Sequence, residues 1–357
     1  MPSPSPNAAT IPPERVITER GKRSGQMITV SIHSTRLGPA LGGCRIRSYR
    51  SWQDGCGDAV RLSAAMTEKA ALAGMQHGGG KTVVALDEHF VQRGSAADRA
   101  DLLADIGDVV ESFGGGYVTG PDIGSGPQDM TRIGERTAHV LCRPESAGGS
   151  GDSSAPTALG VTTSIEAVCS HVWPGRALSD LRFAVHGLGH VGARVAEHLA
   201  TRGARLVVSD VDESRRALAD SWGATWATPD EVLVADVDVL VPCAVGGILT
   251  AQLVGDIRAR AIVGAANNQL DHDSTADVLH EHGIIWCPDV VVSAGGIIGA
   301  VAREREGLSA DAASARVRGI GRRLAGILDT AAAAGTTPLH EARRIVHSLL
   351  GGSPPRV

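Results

Sequence analysis

The stretch FAVHGLGHVG, from Phe183 to Gly192, decides the fold of the second half of this chain. Its apolar start predicts a buried strand that runs into the glycine pattern GxGxxG. Gly187 allows a tight turn, Gly189 lets the backbone approach a pyrophosphate, and Gly192 lets the next helix pack closely on the strand. The N–H groups at the start of that helix bind phosphate oxygens. The stretch therefore predicts a strand–turn–helix that binds a dinucleotide, although a glycine-rich turn without a ligand stays possible.

The next strand, ARLVVSD, ends in Asp210, about 20 residues beyond the glycines, as expected for the acidic residue of such a site. Its carboxylate would bind the adenosine ribose and repel a 2′-phosphate, so we expect NAD rather than NADP. Arg215 and Arg216 follow and temper that preference, but we interpret them as a solvated helix face. The predicted cofactor-binding residues of this region are Gly187, Leu188, Gly189, His190, Val191, Gly192 and Asp210.

Helix and strand patterns alternate around this stretch, which predicts an α/β fold with a parallel, doubly wound Rossmann sheet. The segments VDVLVPCAVGG and AIVGAANNQL each combine a buried-strand pattern with small and polar residues at the end. Ligands of such sheets bind beyond the carboxyl ends of the strands. We therefore expect Cys243, Ala244 and Asn267 near the cofactor, with a simple turn at Asn267 as an equal alternative.

A segment rich in Gly and Ser, RPESAGGSGDSSAP, separates the two halves of the chain. We expect the substrate to bind in a cleft between an N-terminal α/β domain and the Rossmann domain. The predicted parts are a disordered tail (1–13), a substrate-binding and catalytic domain (14–148), an NAD-binding Rossmann domain (149–330) and a C-terminal helix returning towards the first domain (331–357).

The composition excludes several classes of function. The length of 357 residues favours two domains of ordinary size. A net charge of −5 without a dense basic block and 3% aromatic residues argue against nucleic acid as a partner. The six cysteines form no CxxC pair, so no metal site is indicated. Neither a signal segment nor an apolar run of membrane-spanning length occurs, so we expect a cytoplasmic protein.

Two lysines stand out in the stretch MTEKAALAGMQHGGGK, residues 66–81. The chain has 34 basic residues, of which only Lys22, Lys69 and Lys81 are lysines. Arginine keeps its proton in proteins, whereas a buried lysine can lose it, so lysines in this setting indicate proton transfer. Their retention by chance is an equal alternative. Helical spacing places Lys69 on the apolar face of a helix that a capping box at Ser51–Asp54 begins and that runs to about residue 73.

Seven motifs occur in one order along the chain: GPALGG, MTEKAALAG, GGGK, YVTGPDIG, PCAVGG, GAANNQL and SAGG. This set resembles the glutamate/leucine/phenylalanine/valine dehydrogenase family, above all its leucine- and phenylalanine-type branch, from Glu14 to Leu350. The resemblance implies NAD-dependent oxidative deamination of an L-amino acid to a 2-oxo acid and ammonia, and the reverse reaction.

The resemblance also implies roles for individual residues. Lys69 matches the lysine that holds the substrate carboxylate, Lys81 the catalytic lysine, and Asp122 the acidic residue that assists proton transfer. Gly42 and Met66 match positions that line the carboxylate end. Two partly buried lysines close together repel each other, which lowers a pKa and leaves one lysine neutral as a general base. The other stays charged and pairs with the carboxylate.

Several positions depart from the family pattern. Ser293 stands where the family usually has an Asn near the substrate and nicotinamide, and its hydroxyl still forms hydrogen bonds. Gly120 stands where Ala is usual and enlarges the side-chain pocket. Glu68 replaces an aromatic residue, and His77 replaces an apolar one. We include Gly120 and Ser293 among the substrate-binding residues, and we expect a hydrophobic or aromatic substrate such as phenylalanine or tryptophan.

Other functions stay open. A diverged enzyme on the same scaffold, for example in secondary metabolism, would bind NAD but turn over standard amino acids slowly or not at all. A non-catalytic NAD-binding protein would not need Lys69, Lys81 and Asp122. A 2-hydroxy-acid dehydrogenase would need a histidine base, for which His77 is the candidate. Because the family is often oligomeric through its first domain, we expect a homo-oligomer, a dimer or larger.

Overall fold

The computed structural model describes residues 11–351, and residues 1–10 of the predicted tail lie outside this range. The described chain forms two units, each with its own hydrophobic core. Unit 1 consists of residues 11–152, 300–308 and 343–351, and unit 2 consists of residues 153–299 and 309–342. No helix within residues 11–351 is long and apolar enough to cross a membrane.

Five strands form the sheet of unit 1: β1 (Arg15–Arg20), β2 (Met27–Ser34), β3 (Ala40–Ser48), β4 (Gly78–Leu86) and β5 (Tyr117–Pro121). Their order across the sheet is β1–β2–β4–β3–β5. β2 is antiparallel to β1 and β4, whereas β3 runs parallel to β4 and β5. The β-branched run MITVSIH forms β2 as predicted, and most of β2 is buried because its apolar side chains join the core of unit 1.

Four helices lie between or after the strands of unit 1 along the chain: α1 (Trp52–Leu72), α2 (Glu88–Arg93), α3 (Ala96–Glu111) and α4 (Pro127–Gly134). The predicted capping box begins α1. The Ser51 hydroxyl accepts from the Asp54 N–H at 3.2 Å, and the Asp54 carboxylate accepts from the Ser51 N–H at 3.1 Å. Two backbone donors at the start of the helix are thereby satisfied.

Gly79 allows α1 to pack directly on β4. A Cβ at this position would collide with the backbone nitrogen of Thr67 in α1. Leu62 of α1 packs against Val83 further along the strand. Because side chains alternate along a strand, Gly79, Lys81 and Val83 share one face. Lys81 therefore lies on the face of β4 that α1 covers.

Six strands form the sheet of unit 2: β6 (Arg182–His186), β7 (Arg205–Ser209), β8 (Thr225–Trp226), β9 (Val239–Pro242), β10 (Ala261–Ile262) and β11 (Ile285–Trp286). All are parallel, in the order β11–β10–β9–β6–β7–β8. From β6 the chain first adds β7 and β8 on one side, then crosses to add the other three. This is the strand order of Rossmann sheets, so the predicted α/β fold is confirmed.

The first helix of unit 2 precedes its strands, the next five lie between them, and the last two follow them. They are α5 (Ser154–Val172), α6 (His190–Thr201), α7 (Arg216–Ser221), α8 (Pro229–Leu233), α9 (Ala251–Val254), α10 (Thr275–Glu281), α11 (Asp289–Val292) and α13 (Ala310–Ala334). Two further helices, α12 (Gly295–Glu304) and α14 (Pro338–Leu349), contain residues of both units. The long α13 packs along α5.

Candidate active site

Lys81 and Asp122 form an ion pair in unit 1. The Lys81 Nζ lies 2.5 Å from Asp122 Oδ2. Lys81 belongs to β4, Asp122 directly follows β5, and β3 lies between these two strands. The side chain of Lys81 is 7% exposed and that of Asp122 is 21% exposed, so the pair is largely shielded from water. The two residues predicted as catalytic are therefore in direct contact.

Burial and charge act on the protonation of both partners. Burial lowers the pKa of the Lys81 ammonium; Asp122 opposes this effect, and the neighbouring Arg45 adds to the lowering. Burial by itself raises the pKa of Asp122, but Lys81 and then Arg45 outweigh it and hold this pKa at about 2. Asp122 is therefore ionised at neutral pH, while Lys81 releases its proton more readily than an exposed lysine.

Gly43 of β3 leaves the space in which the pair meets. A Cβ here would lie 2.9 Å from Asp122 Cβ and 3.3 Å from Lys81 Nζ. Any side chain at this position would push the pair apart. The next residue, Cys44, is fully buried, and burial raises the pKa of its thiol to about 12. The thiol is therefore neutral and adds no charge to the pair.

Gly42 precedes Gly43 in β3, and Met66 and Lys69 belong to α1. A Cβ at Gly42 would lie 3.4 Å from Met66 Cγ, so the Met66 side chain of α1 packs over the backbone of β3. Lys69 is half-buried and lies three residues further along α1. Residues three apart share a helix face. The structure therefore places Lys69 on the same face of α1 as Met66.

Tyr117 anchors the backbone around Gly42, although it was not among the predicted site residues. Its hydroxyl donates to the Gly42 carbonyl oxygen at 2.9 Å and accepts from Thr82 Oγ1 at 3.0 Å. Its side chain is fully buried. A Cβ at Gly80 would lie 2.7 Å from the tyrosine ring, so the ring packs directly on the backbone of β4. Tyr117 thus ties β3 and β4 together beside the site.

Replacing Tyr117 with phenylalanine is expected to lower the free energy of unfolding by about 1–3 kcal/mol. The Gly42 carbonyl would lose a buried donor, and such a loss costs about this much. Urea unfolding at neutral pH measures the change. An unchanged unfolding midpoint would show that the hydroxyl is dispensable and that ring packing alone holds the strands.

The positions that depart from the family pattern have different surroundings. At Gly120 a Cβ would meet nothing closer than Leu141 at 4.0 Å, so the position borders open space. Glu68 is buried, with 8% exposure. His77 is half-buried; burial lowers its pKa, and its Nδ1 finds no hydrogen-bond partner within residues 11–351. Of these three positions, Gly120 is the one at which a larger side chain would meet open space.

The glycine fingerprint in unit 2 has the predicted strand–turn–helix geometry. β6 ends at His186, and α6 begins at His190 with Gly189 as its N-cap. Gly187 has φ +96°, a left-handed conformation that favours glycine. A Cβ at Gly192 would collide with the carbonyl oxygen of Gly187. At Gly189 a Cβ would meet nothing within 4 Å, so the helix N-terminus is open to an approaching phosphate.

The residues within and beside this loop complete the candidate cofactor site. Leu188 is buried, Val191 is half-buried and His190 is exposed. Asp210 directly follows β7, and its carboxylate accepts from the Leu188 N–H at 2.6 Å and from the Asp212 N–H at 2.9 Å. A carboxylate therefore lies against the glycine loop, at the place where a dinucleotide ribose binds in such sheets. The open glycine, the helix N-terminus and this carboxylate fit a dinucleotide.

The two arginines that follow Asp210 have local partners. Arg215 Nε lies 3.6 Å from an Asp212 oxygen. The guanidinium carbon of Arg216 lies 5.4 Å from the centre of the Trp226 ring, and its Nε lies 4.0 Å from Glu213. These contacts agree with a role on the helix surface.

Cys243 and Ala244 lie at the carboxyl end of β9, against the fingerprint. A Cβ at Gly187 would lie 2.6 Å from Ala244 Cβ, and a Cβ at Gly192 would lie 3.0 Å from Cys243 Cβ. Burial raises the pKa of the Cys243 thiol to about 11, so the thiol is neutral. The structure thus brings together two strand ends that the sequence placed near the cofactor.

Asn267 and Ser293 also meet in unit 2. Asn267 follows β10 and is exposed. The Ser293 hydroxyl donates to the Asp289 carbonyl oxygen at 2.7 Å and lies 3.5 Å from Asn267 Oδ1. Asn268 has φ +52°, which supports a tight turn at this point. Ser293, predicted to contact substrate, therefore lies beside a residue predicted to contact cofactor.

Arg45 and Asp58 belong to the site but were not predicted. Arg45 Nε donates to Asp122 Oδ2 at 3.0 Å, and its Nη1 donates to Asp58 Oδ2 at 3.0 Å. The sequence held one indication of Arg45: it stands two residues after Gly43 of the GPALGG motif, and residues two apart in a strand share a face. Arg45 did not stand out by composition, because arginine is the usual basic residue of this chain. Within residues 11–351 no cluster of three or more His, Cys, Asp or Glu could hold a metal ion.

A Rossmann sheet in one unit and a buried lysine–aspartate pair in the other fit an oxidoreductase of the dehydrogenase class. Two family models match the chain. The Glu/Leu/Phe/Val dehydrogenase dimerisation domain matches residues 15–139, and the Glutamate/Leucine/Phenylalanine/Valine dehydrogenase model matches residues 208–304. The chain belongs to this family, which confirms the resemblance drawn from its motifs.

Named relatives cover nearly the whole chain. Valine dehydrogenase from Streptomyces coelicolor is 36% identical over 352 residues, covering 96% of this chain and 93% of the relative. L-tryptophan dehydrogenase from Nostoc punctiforme is 36% identical over 343 residues, covering 95% and 94%. The crystal structure of L-tryptophan dehydrogenase from that organism matches with a TM-score of 0.82 at 33% identity, covering 96% of this chain and 97% of the other. The chain is thus similar to amino-acid dehydrogenases in sequence and in fold.

Proposed function

We propose that this protein catalyses NAD-dependent oxidative deamination of a hydrophobic or aromatic L-amino acid. One water is consumed, and the products are the 2-oxo acid, ammonium, NADH and a proton. The buried Lys81–Asp122 pair carries the proposal, because it occurs in a chain of this dehydrogenase family. A shielded lysine that releases its proton readily suits general base catalysis at neutral or alkaline pH.

Each residue of unit 1 has a distinct task in this proposal. The Lys69 ammonium pairs with the substrate carboxylate, whose end Gly42 and Met66 line. Neutral Lys81 takes a proton from the water that attacks the imine carbon. Asp122 passes protons to and from the substrate amine. Bound NAD supplies the acceptor for the hydride that leaves Cα.

Unit 2 binds the dinucleotide in this proposal. The phosphates lie at the N-terminus of α6, where Gly189 leaves space for them. Asp210 binds the adenosine ribose and repels a 2′-phosphate, which favours NAD over NADP. Cys243, Ala244 and Asn267 line the same edge of the sheet. The surface contacts of Arg215 and Arg216 support this preference. Arg215 contacts Asp212 and Arg216 contacts the Trp226 ring, so both contacts lie outside the glycine loop.

Replacing Asp210 with serine is expected to lower kcat/KM for NAD by about 10- to 100-fold, since a hydrogen bond to a charged group contributes about 1.5–3 kcal/mol. Use of NADP should rise, because the repelling carboxylate is gone. Initial rates with both cofactors measure the ratio. Asp220→Ser, at an exposed position of α7, is the control and should leave the ratio unchanged. A wild-type ratio in the Asp210 variant would show that this carboxylate does not face the ribose.

The substrate class is tested by NADH formation at alkaline pH with each of the twenty L-amino acids. The space beside Gly120 supports a large side chain, so we expect turnover of one hydrophobic or aromatic amino acid. Alkaline pH favours the neutral form of Lys81. If the protein binds NADH but oxidises none of the twenty, the proposed function is wrong.

Altered chemistry on the same scaffold is the second candidate function. Ser293 favours it, because it replaces a usual Asn and its hydroxyl is engaged with Asp289 in unit 2. Binding of NADH without oxidation of any standard amino acid would support this candidate.

We also propose a homo-oligomer that assembles through unit 1. The family model that matches residues 15–139 is described as a dimerisation domain. Light scattering on the purified protein measures the assembly, and a monomeric mass would contradict the proposal.

A further inference from the structure

Arg45 is held between two carboxylates in unit 1. Its Nε lies 3.0 Å from Asp122 Oδ2, its Nη1 lies 3.0 Å from Asp58 Oδ2, and its side chain is 13% exposed. The Lys81 Nζ contacts the same Asp122 oxygen as Arg45. One carboxylate oxygen therefore binds two cations, a lysine that can titrate and an arginine that cannot.

Asp58 of α1 fixes the other end of Arg45. Its Oδ2 also accepts from the Tyr49 hydroxyl at 2.7 Å, and its Oδ1 accepts from Arg61 at 2.7 Å. Burial by itself raises the pKa of Asp58, but the hydrogen bonds of Tyr49 and Arg61 outweigh it, so this pKa is lowered. Asp58 is thus an ionised anchor that holds the Arg45 guanidinium in one orientation.

We propose that Arg45 is a positioning residue for the Lys81–Asp122 pair, which holds the Asp122 carboxylate in place and sets a fixed positive charge beside the base. This inference rests on the proposed function of the pair. A fixed positive charge disfavours the charged form of Lys81, because like charges repel across a site shielded from water. Arg45 therefore helps to supply the neutral lysine that the reaction needs.

The charged and titratable groups around the pair come from several elements. They are Arg45 and Cys44 of β3, Lys81 of β4, Asp122 after β5, and Asp58 of α1. The buried Cys44 thiol is neutral over the range in which Lys81 titrates below its ordinary value. Arg45 acts on both partners, because its charge lowers the pKa of Lys81 and that of Asp122. Removing it should therefore change the titration of the pair.

The test uses the fact that the chain has three lysines. In protein labelled with ¹³C-lysine, each lysine gives its own NMR signal, and the Lys81 signal is identified by its loss in Lys81→Ala. We expect Arg45→Gln to raise the midpoint of the Lys81 titration by about one pH unit, as the loss of a nearby like charge predicts. The acidic limb of the kcat profile should move upward with it, and the amino-acid KM should change little.

Two further variants separate positioning from a general structural role. Arg45→Lys keeps the positive charge, so it should return the midpoint and the acidic limb towards wild type. Arg61→Gln removes an arginine from the same Asp58, but at its other oxygen and from a side chain that is 53% exposed. It should leave the Lys81 signal unmoved. Thermal melts establish that each variant is folded.

The outcomes distinguish this inference from the proposed function. If the Lys81 midpoint in Arg45→Gln equals that of wild type, the inference is overturned, whether or not the protein oxidises amino acids. If the midpoint moves but the wild-type protein oxidises no amino acid, the proposed function is wrong while the effect of Arg45 on Lys81 stands.

Discussion

Replacing Lys81 with alanine is expected to lower kcat for amino-acid oxidation by about 10²- to 10⁴-fold, the usual contribution of a positioned general base. Alanine cannot take the proton from the attacking water, and it also leaves Asp122 without its closest cation. Binding of NADH should be unchanged, because the proposed dinucleotide site lies in unit 2. Initial rates and NADH fluorescence titration measure the two effects separately.

Lys22→Ala is the matched control, since it makes the same change at an exposed lysine just after β1. We expect this variant to keep the wild-type kcat. A Lys81→Ala protein with wild-type kcat would contradict the proposed role of Lys81. Equal losses in both variants would instead indicate a general effect on the fold of unit 1.

Replacing Asp122 with alanine is expected to lower the free energy of unfolding at pH 7 by about 3–5 kcal/mol. Removing one partner of a buried ion pair leaves the other charge uncompensated, and this costs about that much. Lys81 would then have only its cationic neighbour Arg45 beside it. This loss of unfolding free energy should shrink as pH rises towards 10.5, the ordinary pKa of lysine. The lysine is then neutral in the unfolded chain as well as in the folded one. Urea unfolding at several pH values measures both effects.

At acid pH the effect of the substitution should instead shrink as pH falls, because Asp122 itself becomes protonated in the wild-type protein. In the folded protein Asp122 has a pKa of about 2, below its ordinary value of 3.8. Its ionised form therefore contributes stability above pH 3.8, about 2 kcal/mol, which is lost as pH falls through about 2. The Asp122 variant should lack this part of the acid dependence. Asp236→Asn is the control, since Asp236 pairs with Arg182 at 2.7 Å on the surface, where water screens the interaction. Equal losses in both variants would contradict a special role for burial.

The local sequence pattern was enough to predict the parallel, doubly wound sheet of unit 2. The strands and helices that alternate around FAVHGLGHVG were predicted because each one depends on apolar periodicity and glycine spacing within a short segment. The tight turn at Gly187 and the close packing at Gly192 involve residues only a few positions apart. Asp210 directly follows the next strand, β7, and the structure adds the pairing of β7 with β6 and the contact of Asp210 with the Leu188 N–H.

Local pattern was less informative in unit 1. The capping box of α1 and strand β2 were predicted from neighbouring residues. The roles of Lys69, Lys81 and Asp122 came instead from the motif resemblance, because no periodicity connects β4 with the end of β5. Their catalytic roles stay predictions until the variants above are measured.

The sequence by itself determined the Rossmann half of this protein and pointed to two lysines as unusual residues. Only the tertiary structure decided which groups surround Lys81. β3 lies between β4 and β5, and α1 covers the face of β4 on which Lys81 lies. Arg45 reaches Asp122 and Asp58 from that middle strand. Such contacts depend on strand order and register, which the packing of the whole unit sets, rather than on the conformational preference of any one segment.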